Sequence, residues 1–469
     1  MTLHIPIKGI EMKRRNYLRN AGILFAASQL PSVSRGANAS GSDEIKLALV
    51  GCGGRGRGAL MQRLAVNDNV RVVAIADIFE AGARSAVEAF EQTGDKRFDL
   101  KDGVFFGLDA YKKAIELCDS VILATPPGFR PVHFAYAVNA GKQIFMEKPC
   151  AIDARGFRMV QEAARIADEK NLKVVCGFQR HYQNPYLGMF EQIKEGKIGQ
   201  LKYSRVYWNQ GNPTRRPRLP GMTEMQYQVK CWYPFNWITG DNIVEQHCHN
   251  IDVGNWIHSL GDPTSPTAHP VKCNGMGGRE VRKFPRYLYA GNRYDHFCCE
   301  FTYADGTQMF SQCRHQEKCW FNVSETFVGT EGTAGCGWVK NLKGETIWKF
   351  QGEDPDPYKN EHVHHAKYIR EDIAHNDAWF ASNSSMTSVL GRYAAYSGAE
   401  ISWDDAVANG VDEFPYDLIA EVEANDPEKF WDVFPPTLPD SFPPAQPGAG
   451  EFIYENSVPV PGEWNWRKA

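Results

Sequence analysis

The chain has 469 residues, 43% of them hydrophobic and 23% charged, the make-up of an ordinary globular protein long enough for two cores. Its formal net charge of -4 offers no basic field, which argues against a nucleic-acid partner. The 12 cysteines show neither a CxxC pair nor metal-ligand spacing, so most read as small buried hydrophobes rather than a disulfide framework.

Residues 1–40 read as a targeting segment. Lys13-Arg14-Arg15-Asn16-Tyr17-Leu18 is a charged start, Ala21 to Leu30 a short apolar region, and Ala37-Asn38-Ala39 a small-residue cleavage site. The apolar run is too short to cross a bilayer, so no stable membrane insertion is expected. Arg14-Arg15 followed by Tyr17-Leu18 resembles the twin-arginine signal, which would export the folded protein to a bacterial periplasm. A disordered basic N-terminus, or initiation at Met12, is the plainer alternative.

Residues 41–150 alternate apolar strands and helical stretches. Leu47 to Val50 lacks polar alternation, as a buried parallel strand does. Gly51, Gly53 and Gly56 follow at G-x-G-x-x-G spacing, and Ala59 to Leu64 continues as a helix. One glycine makes the tight turn, one lets backbone approach a pyrophosphate, and one lets helix and strand pack closely. The pyrophosphate would sit on the helix N-terminus, where free N–H groups favour negative charge. A second strand, Val70 to Ala76, ends at Asp77, a carboxylate placed for a ribose 2′-hydroxyl. Asp77 would repel a 2′-phosphate, so NAD is expected over NADP, a preference tempered by Arg55 and Arg57.

Next come a helix from Ala81 to Gln92, a strand from Val121 to Ala124, a helix from Pro131 to Asn139, and a strand from Gln143 to Met146. Such alternation implies a parallel sheet with helices on both faces. Glu147-Lys148-Pro149 closes the last strand at the edge where open α/β sheets bind ligands. Partial desolvation there would lower the Lys148 pKa toward a useful acid/base range; an exposed turn lysine would do nothing of the kind.

Three stretches together, Gly51-Cys52-Gly53-Gly54-Arg55-Gly56, Ala124-Thr125-Pro126-Pro127, and Ala140-Gly141-Lys142 leading to Glu147-Lys148-Pro149, resemble the Gfo/Idh/MocA oxidoreductases. The resemblance implies an α/β protein: an N-terminal Rossmann domain plus a C-terminal α+β domain with a large, mostly antiparallel open sheet. It implies that Lys148 lies beside the nicotinamide and the reacting carbon. Thr125 and Pro126 would line the cofactor groove, with Arg55 and Glu147 among the cofactor-binding residues.

The second domain is expected over residues 151–430. An amphipathic helix from Ala151 to Lys170 precedes a strand from Val174 to Gly177. Arg180 and Tyr182 follow that strand end, where substrate or cofactor contacts and a simple loop role are equally open. Leu201 to Trp208 opens a β-rich region, and Gly211 to Gly221 is a long irregular loop. Phe297 to Tyr303 and Gln308 to Cys313 form a hairpin about Asp305-Gly306, continued by Phe321 to Gly329. In the resembled family one sheet face covers the active site and the other commonly forms a subunit interface, which implies a homodimer or homotetramer. Helices are expected over His362 to His375 and Ser385 to Gly398, and residues 431–469, rich in proline, form an extended tail.

Gly240 to Trp256 reads as a partly buried helix carrying Glu245 and His249 on one face, with Asp252 three residues further along it. A carboxylate beside an imidazole raises its pKa; a satisfied structural histidine fits the spacing as well. The family resemblance assigns Glu245, His249 and Asp252 to an Asp-x-x-x-His, x-x-Asp pattern, with glutamate in the first place. Lys148 and His249 would then shuttle a hydroxyl proton while Glu245 orients and charges one of them, and Arg180, Tyr182 and Asp252 would meet the substrate. No metal is expected: His247 and His249 point to different helix faces, and Glu361-His362-Val363-His364-His365 reads as a solvated face. The expected activity is NAD-dependent oxidation of a sugar, glycoside or polyol hydroxyl with tightly held cofactor. The alternative is an NAD-dependent glycosidase that oxidises, eliminates and re-reduces, although the Thr-His-Gly-Leu-Gly-Pro stretch associated with the α-N-acetylgalactosaminidase branch is absent.

Overall fold

The computed structural model describes residues 43–211, 218–281, 291–433, 435–436 and 458–468. The expected targeting segment and most of the proline-rich tail lie outside the described residues.

The first domain begins with β1 (Ile45–Val50), buried at every position but Lys46 because both faces are covered. In chain order follow α1 (Gly54–Leu64), β2 (Val70–Asp77), α2 (Glu80–Glu91), β3 (Val104–Phe106), α3 (Ala110–Leu117) and β4 (Ser120–Leu123). Then come α4 (Arg130–Asn139), β5 (Gln143–Met146), α5 (Ala154–Glu169) and β6 (Val174–Cys176). The six strands are parallel in the order β3-β2-β1-β4-β5-β6. Strand order reverses between β1 and β4, which opens a crevice at their C-terminal ends. The sheet takes in β6, beyond the boundary expected at residue 150. Asp153 supplies the N-cap of α5, accepting from the Gly156 N–H at 2.7 Å, which starts that helix later than expected.

After α6 (Asn184–Lys194) the chain enters the second sheet with β7 (Leu201–Gln210), then runs through α7 (Glu224–Lys230), α8 (Asn236–Thr239), α9 (Asn242–Glu245) and α10 (Cys248–His258). It continues with β8 (Lys272–Gly278), β9 (His296–Thr302), β10 (Gln308–His315), β11 (Asn322–Gly329), β12 (Gly332–Gly335), β13 (Trp338–Asn341) and β14 (Thr346–Lys349). α11 (Pro357–Arg370), α12 (Ala378–Ser397), β15 (Ile401–Ser402), α13 (Trp403–Asn409) and α14 (Tyr416–Asn425) follow. The nine-stranded order is β14-β13-β12-β11-β7-β10-β9-β8-β15, antiparallel except between β7 and β10. The expected β9–β10 hairpin is present, with Gly306 at φ +83° in its turn.

α12 is buried along nearly its whole length although it is rich in serine. Its hydroxyls return to the helix itself: Ser385 donates to Ala381 O, Thr387 to Asn383 O and Ser388 to Ser384 O. Gly398, at φ +71°, ends it in the left-handed conformation.

α11 returns from the second sheet to cover the first domain. Its His362 ring lies 4.2 Å from Phe145 of β5, and Tyr358 lies 5.0 Å below the Arg55 guanidinium of α1. The solvated face expected over Glu361 to His365 is therefore not one. Glu361, His362 and His365 are buried and only Val363 is exposed. The described end of the tail lies along the body, with Val411 N donating to Trp466 O at 2.9 Å and Tyr294 donating to Pro459 O at 2.6 Å. All 12 cysteines are free thiols, most of them buried, as composition suggested.

Candidate active site

The glycine loop crosses the crevice between β1 and β4. Gly51 has φ +96°, and a Cβ there would lie 2.6 Å from the Ala124 carbonyl carbon. A Cβ on Gly56 would lie 1.9 Å from Gly51 O, an atom of the backbone that cannot swing aside. Gly53 faces open space and precedes the first turn of α1, which carries no acidic residue. A loop of this kind leaves helix N–H groups free for a pyrophosphate. Gly56→Ala is expected to strain the loop by about 1–3 kcal/mol and to weaken NADH binding about 10- to 100-fold. Fluorescence titration checks this against Gly58→Ala, whose Cβ would meet nothing closer than Arg55 at 4.0 Å.

Asp77 stands at the end of β2, fixed by N–H groups of Cys52 (2.8 Å) and Phe79 (2.9 Å). A carboxylate so held keeps lone pairs for two ribose hydroxyls. The arginines face elsewhere: Arg57 Nε donates to Cys52 O at 3.0 Å, and Arg55 pairs with Glu147 at 2.8 Å and with Gln62. Across the crevice, Thr125 bonds His133 through its hydroxyl at 3.1 Å. Its carbonyl and that of Glu147 accept from Arg130, which also reaches Leu123 O at 3.2 Å. Pro126 opens the short turn that carries this strand end into α4. Arg130 is 1% exposed and gathers the carbonyls at the ends of β4 and β5. Its place early in a helical stretch gave no sign of this in sequence.

Lys148 emerges from the end of β5 and its ammonium donates to Glu245 O at 2.6 Å and Glu245 Oε1 at 3.3 Å. Burial alone would lower its pKa, but Glu245, with Cys248 and Glu147, outweighs burial and holds the ammonium above its ordinary range. The lowered pKa expected for Lys148 is thus reversed. The continuous helix expected over Gly240 to Trp256 is also absent. It is broken at Gln246-His247, so Glu245 ends α9 while His249 lies in the first turn of α10. Upstream, Asp241 caps the start of α9. At φ +74°, a strained position for a non-glycine residue, it accepts from Tyr294 N (2.7 Å), Arg293 Nε (3.2 Å) and Tyr396 Oη (2.5 Å).

Glu245 therefore serves Lys148, and His249 lacks the carboxylate expected beside it. The His249 ring stands 5.8 Å from both Trp208 and Phe178, and its Nδ1 has no protein partner. Burial first, then the charges of Lys148 and Arg180, hold its pKa well below the ordinary value, so the imidazole is neutral. Glu245 Oε2 is likewise buried without a partner.

The three residues expected at the substrate are occupied within the protein. Arg180 pairs with buried Glu325 behind Trp208, close enough to His249 to repel its proton. Tyr182 donates to Asp377 at 2.7 Å and lies 3.2 Å from His375, packed into the first domain. Asp252, 1% exposed, bonds His181 at 2.7 Å and accepts from Ser384 at 2.8 Å. These are positioning roles for the loop after β6 and for α10. Sequence reasoning also missed Tyr233, which neighbours Glu245 and lies 4.4 Å over the buried Arg293 guanidinium. Among the described residues no group of three or more His, Cys, Asp or Glu could hold a metal ion.

Residues 45–178 match the profile of a family described as "Oxidoreductase family, NAD-binding Rossmann fold" (GFO_IDH_MocA). These residues are thus similar to the NAD-binding Rossmann domain of that family. Inositol 2-dehydrogenase of Burkholderia cenocepacia (strain HI2424) is 31% identical over 158 residues, 33% of this chain and 43% of that protein. The Klebsiella pneumoniae (strain 342) enzyme of the same name is 30% identical over 158 residues, again 43% of its length. The match thus spans less than half of these relatives. Likeness in fold extends further than likeness in sequence. The scyllo-inositol dehydrogenase of Lactobacillus casei with NAD(H) and scyllo-inositol aligns over 77% of this chain and 99% of its own, with TM-score 0.56 and 19% identity. Aldose-aldose oxidoreductase of Caulobacter crescentus aligns over 76% and 99%, with TM-score 0.57 and 14% identity. Both sheets thus share the fold of these two structures. The residues present fit NAD: a glycine loop that a Cβ would fill, Asp77 held for a ribose, and a buried unpartnered carboxylate oxygen beside Lys148.

Proposed function

We propose that this protein oxidises a hydroxyl-bearing carbon of a sugar, glycoside or polyol, using an NAD that it holds through turnover. The observation that carries this reading is the meeting of the Lys148–Glu245 pair with a neutral His249 at the end of β5. The named activities of the inositol dehydrogenase relatives support a cyclic polyol or sugar as substrate class.

NAD, when bound, supplies a hydride acceptor at nicotinamide C4. The chain's own residues handle the proton. His249, neutral and with an unpartnered nitrogen, accepts it from the substrate hydroxyl. Lys148 donates a hydrogen bond to the same oxygen and favours the negative charge that gathers there. Glu245 keeps Lys148 charged and aimed. Base and electrophile are thus separate residues, rather than two groups sharing one shuttle. The exported location and homo-oligomeric state expected from sequence belong to the same proposal; exposed Phe310, Trp320 and Phe321 support a covered sheet face.

Protein purified without added cofactor is expected to yield NAD on extraction and to reduce it when offered inositols or aldoses. Release of aglycone from chromogenic glycosides with no net change in nicotinamide would replace this reading with the redox-neutral hydrolase. No turnover on either class would overturn both.

A further inference from the structure

Glu361 lies on the inner face of α11, 0% exposed, and neither carboxyl oxygen has a protein hydrogen-bond partner. An unpaired buried polar group costs about 1–3 kcal/mol, so its presence calls for a function. Its neighbours on the same helix face fix where it points. Tyr358 touches the Arg55 guanidinium and His362 touches Phe145, two residues before Glu147. Glu361 therefore sits between the arginine of the glycine loop and the strand that ends at Glu147. Arg55 pairs with Glu147 at 2.8 Å and its side chain is 35% exposed, which leaves it room to turn.

Burial first, and then Glu147, hold the Glu361 carboxyl well above its ordinary range despite the opposing pull of Arg55. The groups facing it are Arg55 from α1, Glu147 just after β5, Tyr182 from the turn after β6, Asp356 before α11 and Asp377 before α12. Tyr358, His362 and His365 share its helix. Asp377 is engaged by His375 and Tyr182, Asp356 caps α11 at Tyr358 N, and burial keeps both helix histidines neutral. Burial thus favours the protonated form of Glu361, whose two oxygens have no hydrogen-bond partner.

We propose that Arg55 serves two carboxyl groups in turn: cofactor binding moves it from Glu147 to Glu361, which frees Glu147 for the cofactor. This rests on the NAD-binding reading above. One O–H bond breaks at Glu361, its proton passes to water, and an ion pair with Arg55 takes its place; nothing is oxidised or reduced. Because the loaded state holds Glu361 ionised, affinity for the cofactor rises with pH.

Calorimetric titration of the cofactor-stripped full chain with NADH, in buffers of different ionisation enthalpy, counts the protons. About one proton is expected to leave per NADH bound while Glu361 is protonated in the stripped protein, with Kd falling as pH rises. Glu361→Gln abolishes the release and flattens the pH dependence. Its thermal midpoint without cofactor matches the parent at neutral pH, since glutamine reproduces the neutral acid. Arg55→Met, which removes the shared cation, abolishes the release as well and keeps the test decisive if Glu361→Gln misfolds. Binding without proton release in the parent protein, or undiminished release in either variant, overturns the proposal alone. Failure of the parent to bind NADH overturns the oxidoreductase reading together with it.

Discussion

Lys148→Ala is expected to lower kcat/KM about 10²- to 10⁴-fold, the span typical of one positioned proton-handling group. Its side chain is 12% exposed, and its ammonium holds both the carbonyl and the carboxylate of Glu245. Truncation leaves that carboxylate, itself 8% exposed, buried without its cation. Breaking a buried pair in this way costs about 3–5 kcal/mol, so the thermal midpoint falls with the activity. The two effects separate in Glu245→Gln. That variant keeps the lysine but removes the charge that opposes burial, so the Lys148 pKa falls. Its pH–rate profile should then lose activity on the alkaline side at lower pH than the parent. Full activity in Lys148→Ala would remove the residue from the site.

The second large effect is acid instability. His133, His247, His249, His258, His362 and His365 are all held neutral by burial, and His133, His247, His258 and His365 are pushed down to about 3. The unfolded chain protonates each near pH 6.5, the folded chain does not, and so the unfolded state binds more protons below that point. Stability is complete above the unfolded value and declines as pH falls, by about 1.4 kcal/mol per pH unit for each histidine. Four carboxyl groups oppose this. Burial pushes Asp153 up to about 6 and raises Glu325, Glu361 and Glu423, so the fold takes up those protons first. His181 and His375, kept charged by carboxylate partners, act at higher pH and do not enter this window. The histidines outnumber the opposing acids, and thermal midpoints measured from pH 7 to about 5 should drop steeply. A flat profile would show that these rings are solvated in the folded protein.

The parallel sheet was legible because a short apolar run that stops at a glycine or a charged triplet suits a buried strand and little else; β1, β2, β4 and β5 lie where their residues place them. Three-residue β3 was not, since Val104-Phe105-Phe106 is too short to show a period. Lys148, Glu245 and His249 were found, but not their partnership. A spacing of four residues puts two side chains together only on an unbroken helix, and here the helix breaks between them, while Asp241 anchors the start of α9 through contacts with Arg293, Tyr294 and Tyr396, remote in sequence. Arg180 and Tyr182 looked like ligand contacts because polar residues after a strand often are, and Asp252 because it shares the pattern of Glu245 and His249; here each is bonded to a partner from another element. Glu361 and His362 misled in the opposite direction. Polar residues at core positions of a helix give the same pattern as a wetted surface, and only the arrival of α11 against α1 and β5 tells the two apart.

That arrival has a bearing on how the chain is made. α1 and β5 leave the ribosome long before α11 is synthesised, yet α11 supplies the cover for Phe145 and packs beside Arg55. Nascent domains generally fold as they emerge. This one cannot finish until all of the second sheet but β15 has been threaded through, because α11 is encoded behind it. The glycine loop therefore gains its Arg55–Tyr358 contact late, and a ribosome stalled within the second sheet would display a nucleotide fold with one flank still bare.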